Sequence, residues 1–316
     1  MGTYLLRRLL IAVVLMVGAA TLVFVLLHSI PGDPARLFLG DFATEDQVAA
    51  VHHKMGLDRP LPVQYVSWLW NAAHLDLGTS LSQNRPVRSL ILQRLPRTLE
   101  IVVCAIGLAV LIGIPLGILS ALRRGRPSDT GITAGSLLGL SVPSYVTGTL
   151  LVLLFAVRLS WLPASGYVNF SDNPRRHLLL LILPCVTLAS QLSASIMRLT
   201  RSSVLEVINQ DHVRTARSKG LTERQVIRRH VLRNSLIPVS TIVGIQAGNL
   251  LGGAVIVETI FAWPGLSTLL FRGIETRDFP VVQACVLTTS GLFVLFTLMV
   301  DILHGVIDPR AAHGTS

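Results

Sequence analysis

The chain has 316 residues, of which 51% are hydrophobic and only 14% charged, with a mean hydropathy of +0.62 and a formal net charge of +10. A soluble globular domain carries about 25% charged residues, so this chain lacks the polar surface of a soluble enzyme, and its basic excess reports membrane orientation before it reports nucleic acid. Cys104, Cys185 and Cys285 each sit in an apolar stretch without C-x-x-C spacing, which supports neither a disulfide framework nor a zinc site.

A membrane-spanning helix needs about 20 apolar residues. Six windows free of Asp, Glu, Lys and Arg meet that length: 9–30, 101–122, 130–157, 178–197, 234–257 and 279–300. The first resembles a signal-peptide core but is too long for one, and no A-x-A cleavage site follows it, so it is read as an uncleaved span. The expectation is an all-α, multi-pass protein with six transmembrane helices. It divides into a first span (1–30), a cap segment outside the membrane (31–97), and a core of five further spans (98–316) that contains a basic elbow at 204–235. With the N-terminus inside, the inner segments carry net charge +9 and the outer ones +1, which places both termini in the cytoplasm. Arg175-Arg176 and the cluster from Arg85 to Arg97 stand on the disfavoured side, in longer loops where that rule is weaker.

In the cap segment Thr44 and Gln47 have capping-box spacing. Val48, Val51 and Met55 follow at helical intervals until Gly56 ends the turn. A second amphipathic stretch, 63–75, carries Tyr65, Trp68 and Trp70, residues suited to a membrane interface. The cap either lies on the membrane as a structural lid or also docks a soluble protein, through Glu45 and Asp46 together with Trp263, Pro264 and Arg272.

Within the spans, small residues recur every fourth position: Gly113 and Gly117; Gly131, Gly135 and Gly139; Gly244, Gly248 and Gly252. That spacing lets helix backbones approach closely in lipid. Pro115, Pro143, Pro184 and Pro238 each enter a span and are expected to kink it. Thr187, Gln191, Ser195 and Arg198 share one face of the fourth span. Gln246, Asn249 and Gly253 share a face of the fifth, with Glu258 at its outer end. Polar faces turn away from lipid, so these either hydrogen-bond between helices or line a polar path.

Signatures of catalysis are missing. The chain has no G-x-x-x-x-G-K-[ST] loop, no H-E-x-x-H and no G-x-S-x-G. The adjacent His52-His53 pair diverges on a helix, and His28 and His304 lie at span ends, so no metal site is expected. If the chain moves a solute uphill, the energy must come from an ion gradient or from a partner. The spans contain no Asp, Glu or Lys relay of the sort a self-sufficient secondary transporter uses, and no serine in a span has a histidine partner for an intramembrane hydrolase.

The stretch Asp211-His-Val-Arg-Thr-Ala216-Arg-Ser-Lys-Gly220-Leu221 reads as a short helix with Asp211 as N-cap, Arg217 and Lys219 in the last turn, and Gly220-Leu221 as a Schellman stop. Thr222 and Gln225 then have the spacing of a second capping box. This makes a rigid basic elbow, either held against lipid headgroups or transmitting force to a cytoplasmic protein.

The elbow resembles the loop of permease subunits of ATP-binding-cassette (ABC) importers, with Arg214-Thr215-Ala216 in the place of the E-A-A triplet, Gly220 as its glycine, and Leu236-Ile237-Pro238 as its end. An Arg stands where the general pattern has Glu, and His212 where the dipeptide/oligopeptide/nickel permease branch usually has an aromatic residue. Ile30-Pro-Gly-Asp-Pro34, Gly56-Leu-Asp-Arg-Pro-Leu-Pro-Val-Gln-Tyr65, Asp76-Leu-Gly-Thr-Ser80, Val257-Glu-Thr-Ile-Phe-Ala-Trp-Pro-Gly265 and Asp278-Phe-Pro-Val-Val-Gln283 are similar to that same branch. The resemblance implies the type I importer permease fold and the first of two related permease subunits in a bacterial cytoplasmic membrane. It also implies two ATPase subunits that bind ATP and Mg, and an extracytoplasmic solute-binding protein. The chain itself would hold no cofactor. Asp211, His212, Arg214, Thr215, Ala216, Arg217, Lys219, Gly220 and Leu221 would couple to the ATPases, while Gln191, Ser195, Gln246, Asn249 and Glu258 would line the path. Peptide is the implied cargo, with nickel or glutathione as the alternative.

Overall fold

The computed structural model describes residues 2–29, 34–40 and 43–307, and the regular secondary structure there is all helix apart from one isolated bridge between Thr79 and Pro86. In chain order the helices are α1 Gly2–His28, α2 Pro34–Leu39, α3 Glu45–Met55, α4 Leu61–Ala73, α5 Val87–Leu122, α6 Pro127–Ser141, α7 Ser144–Leu151, α8 Pro174–Val207, α9 Asp211–Ser218, α10 Glu223–Val226, α11 Leu232–Ile260, α12 Leu266–Glu275 and α13 Phe279–Ile307. Wider π-helical turns extend α7 through Val152–Arg158 and join α10 to α11 through Ile227–Val231. Residues 30–33 of the Ile30-to-Pro34 motif, and Asp308 and Arg310 of the inner charge count, lie outside the described residues.

Five described helices are long and apolar enough to cross a membrane. The remaining window, 130–157, is not one straight helix: α6 and α7 meet at an angle of 102°. Pro143 is the cause. A residue before proline is pushed out of the helical region, and Val142 has φ −86° and ψ 120°. Its freed carbonyl accepts a hydrogen bond from Gln191 Nε2 of α8 at 2.9 Å. By contrast Pro184 and Pro238 lie inside continuous helices.

The described residues form two compact units, one of residues 2–6, 99–263 and 295–307, the other drawn from residues 7–98 and 264–294. In the first, α8 is the central post, and its Leu183, Leu188, Leu192 and Ile196 are all at most 5% exposed. They pack with Ile101 and Ala109 of α5 and with Val239 and Val257 of α11. The Gly113/Gly117 pair lets α5 approach α8: a Cβ at Gly113 would stand 2.7 Å from the Ser193 carbonyl, and one at Gly117 2.6 Å from the Met197 carbonyl. The other repeats differ. Gly131, Gly135 and Gly252 face open space, and only Gly139 of the first triplet approaches α8, 3.4 Å from Ala194 Cβ.

In the second unit, α3 has the expected ends. Thr44 Oγ1 accepts from the Gln47 N–H, Gln47 Oε1 accepts from the Thr44 N–H, and Gly56 closes the helix at φ +68°. The α4 aromatics pack onto α1, with the Trp68 ring stacked 5.9 Å from Phe24 and the Tyr65 hydroxyl 2.7 Å from Thr21. Val87, Leu90 and Ile91 of α5 form a separate core with Leu266 and Leu269 of α12 and Val281 and Cys285 of α13.

Candidate coupling elbow and polar faces

Gln210, with φ −74° and ψ 152°, is the N-cap of α9. Asp211 is therefore the first helical residue rather than the cap, a correction of one position. Its carboxylate still lies at the positive end of the helix, with Arg214 Nη1 3.7 Å away. At the other end Lys219 closes the helix and Gly220 turns left-handed at φ +77°. The Gly220 N–H donates to the Arg217 carbonyl at 3.0 Å.

Beyond that turn, Arg217 Nε and Nη2 donate to the two carboxylate oxygens of Glu223 at 3.1 and 2.6 Å. The bidentate Glu223 partner raises the Arg217 pKa above its ordinary value. Gln225 Oε1 accepts from the Thr222 N–H at 3.1 Å and from its hydroxyl at 3.0 Å, the back-reaching arm of a capping box. Asn234 Nδ2 donates to His212 Nε2 at 3.4 Å, which ties α9 to the base of α11.

The elbow has two sides. Asp211, His212, Arg214, Thr215, Arg217 and Lys219 are exposed. Val213 and Ala216 are buried, packed with Val204 and Val207 of α8, Ala121 of α5, and Val226 and Val231, while Leu221 is half-buried on the same cluster. The resemblance puts Ala216 among the residues that couple to the ATPases. At 4% exposure it admits the chain's own helices instead, because α9 docks by the Val213/Ala216 face.

A charged node that the sequence reading passed over lies under this cluster. Arg201 Nε and Nη2 donate to the two oxygens of Asp129 at 2.9 and 3.0 Å. The Ser120 hydroxyl and the Gly125 N–H add bonds at 2.5 and 3.1 Å. The node joins α5, α6 and α8 two turns before α8 ends. One signal was available: the polar stripe Thr187, Gln191, Ser195, Arg198 continues at the same spacing to Arg201.

The polar faces separate into different roles. Thr187 is fully buried and bonds its own helix. Gln191 serves the break at Val142. Ser195 is half-buried and lines a cavity of about 410 Å³ with Leu140, Arg198, Leu199, Ser202 and Ile242. On α11, Asn249 Nδ2 donates to Gln246 Oε1 at 3.0 Å on an exposed face. Glu258, expected in the path lining at the outer end of that span, is 0% exposed. It lies on the buried side of α11 with Ala254 and Val257.

Trp263 also departs from expectation, being fully buried. Ala262, at φ +48°, turns the chain so that the Trp263 N–H reaches the Glu258 carbonyl at 2.8 Å. The indole then packs edge-on to Tyr167, with centroids 4.8 Å apart, and to His177 at 5.7 Å. His177 is itself held 2.7 Å from the Val168 carbonyl and 2.6 Å from Glu100. Trp263 is a core residue and presents no docking surface. In the other unit Glu45, Asp46 and Arg272 are exposed and Pro264 is half-buried, with Glu45 paired to Arg36. There too, Asp278 Oδ2 accepts from the Ser80 and Ser82 hydroxyls at 2.6 and 2.7 Å, which joins the Asp76-to-Ser80 and Asp278-to-Gln283 motifs directly. Among the described residues no group of three or more His, Cys, Asp and Glu side chains is placed to hold a metal ion.

Comparison with known proteins agrees with this architecture. The family model described as binding-protein-dependent transport system inner membrane component matches residues 113–313, and the model of its N-terminal part matches residues 1–102. A Brucella abortus (strain 2308) protein that carries the words "peptide transport system permease protein" in its name is 43% identical over 313 residues, covering 99% of this chain and 100% of its own. The dipeptide transport system permease protein of Escherichia coli (strain K12) is 39% identical, with 98% of each chain covered. A chain from inward-facing structures of a methionine ABC transporter superposes with a TM-score of 0.55 at 17% identity, over 71% of this chain and 98% of its own. A chain of an amino acid ABC transporter gives 0.51 at 16% identity, over 70% of this chain and 94% of its own. At these identities the two structures share the fold.

Proposed function

Because the chain belongs to the binding-protein-dependent transport system inner membrane component family, we propose that it is one of two related permease subunits of an ATP-driven importer of dipeptides or oligopeptides. Peptide is favoured over nickel or glutathione because full-length relatives at 43% and 39% identity carry peptide or dipeptide transport in their names. Two ATPase subunits bind ATP and Mg, and a binding protein delivers the cargo on the opposite side. The charge distribution supports a placement of both chain termini in the cytoplasm.

The observation that carries this reading is the α9–α10 elbow. It is a short rigid element with a buried face, Val213 and Ala216, keyed to α5 and α8 and an exposed face rich in charge. Such an element passes the closure of a soluble ATPase into the spans. Gln246 and Asn249, with the Ser195 cavity, are the proposed polar lining of the path. They offer neutral hydrogen-bond partners that bind a peptide backbone weakly enough to release it.

The test is reconstitution with the partner permease, the ATPases and the binding protein in vesicles. Labelled dipeptide should accumulate inside only with ATP, and ATPase activity should rise with loaded binding protein. Cysteines at Glu45, Asp46 or Arg272 should cross-link the binding protein from the side opposite the elbow. Accumulation driven by an ion gradient without ATPases would overturn the coupling role, and labelling of these positions from the elbow side would overturn the orientation.

A further inference from the structure

A groove of about 490 Å³ runs between α5 and α8 at the end of α8 opposite the elbow. Cys104 and Leu108 of α5 and Leu178, Ile182 and Val186 of α8 are among its walls, and Arg175 stands at its rim. Arg175 is exposed, and among the described residues no hydrogen bond or ion pair engages its guanidinium. It is also one of the arginines on the side of the membrane where the charge rule disfavours them, so orientation does not account for it.

The dimensions match a lipid. Eleven residues of helix separate Arg175 from Val186, a rise of about 16 Å. One leaflet is half of a hydrocarbon core about 30 Å thick. Arg175 lies three residues before the charge-free window that opens at Leu178, at the depth of phosphate groups. Apart from Cys104 and Cys185 the apolar walls are Leu, Ile and Val, with none of the Gly, Ala or Ser residues that let helices approach in lipid, and the close-packing pair of α5, Gly113 and Gly117, is already occupied by α8. An acyl chain fills such a groove without needing a polar group to set its register.

We propose that this groove binds one acyl chain of an anionic glycerophospholipid in the leaflet opposite the elbow, with Arg175 holding the phosphate. The site depends on the chain's place in the membrane and is independent of its cargo. The test uses the assembled importer in phosphatidylcholine vesicles that contain a trace of phosphatidylglycerol with a photoreactive diazirine in one acyl chain. Adducts should map to segments 104–108 and 178–186. Arg175→Gln should lower their yield about fivefold, the effect of one basic residue at an anionic surface. Ile182→Trp, which fills the groove, should abolish them, and Arg176→Gln, outside the lining, should leave them unchanged. Equal labelling by a phosphatidylcholine tracer, or full labelling in Arg175→Gln, overturns the proposal. So does efficient cross-linking of Cys104 to the partner permease, which would place the groove under protein. Arg175→Gln alters an exposed side chain, so the test stands even if the tryptophan variant fails to assemble.

Discussion

Arg217 and Glu223 face each other across the Gly220 turn, joined by two hydrogen bonds of 3.1 and 2.6 Å. Their side chains are 39% and 56% exposed, and an ion pair so open to water contributes about 0–1 kcal/mol to stability. Its consequence is geometric, because two parallel bonds fix the angle between α9 and α10. Glu223→Gln should therefore leave the melting temperature of the assembled complex nearly unchanged while weakening the ATPase response to loaded binding protein. The exchange Arg217→Glu with Glu223→Arg should restore part of that response. Unaltered stimulation in the single variant would show that the pair does not orient the elbow.

Gly220 isolates backbone strain from crowding. A Cβ there would meet nothing within 4 Å, yet φ is +77°. A left-handed residue with a side chain costs about 1–2 kcal/mol, and Asn tolerates the conformation better than a β-branched residue. Gly220→Val should thus impair stimulated ATPase activity more than Gly220→Asn, with the complex still assembled. Equal effects of the two would mean that the turn relaxes freely.

The glycine pair on α5 makes the opposite prediction. A Cβ at Gly113 or Gly117 collides with α8 backbone at 2.7 or 2.6 Å, and neither helix yields without moving a core. Gly117→Ala should destabilise by about 1–3 kcal/mol, the usual cost of overpacking, measured as thermal unfolding of the purified complex. Gly131→Ala, on an open surface, should be neutral or slightly stabilising through helix propensity.

Gln191 and the Gln246/Asn249 pair separate packing from transport. Gln191→Leu leaves the Val142 carbonyl at the α6–α7 break without its 2.9 Å partner. Losing a part-buried bond of this kind costs about 0.5–1.5 kcal/mol, so the variant should lower thermal stability modestly. Gln246→Leu with Asn249→Leu should instead keep stability and assembly and lower peptide uptake. Normal uptake in the double variant would return α11's polar face to a purely structural role.

Features written into the sequence itself are those decided by short stretches of chain. Six charge-free windows declare the membrane helices because every lipid-facing backbone group must be satisfied within its own helix. Thr44, Gln47 and Gly56 bound α3, and Gly220 turns the elbow, because capping and left-handed turns involve residues only a few positions apart. Features decided by tertiary structure are those that depend on which surfaces meet. Trp263 reads from the sequence as an exposed loop aromatic, but the Ala262 turn sends it into the core beside Tyr167 and His177. Ala216 reads as a docking residue, yet α9 folds that face onto α8. Arg201 finds Asp129 from 72 positions away and Ser80 finds Asp278 from 198. A buried polar group takes whatever partner packing brings within reach, and that choice is not encoded in the spacing around either residue.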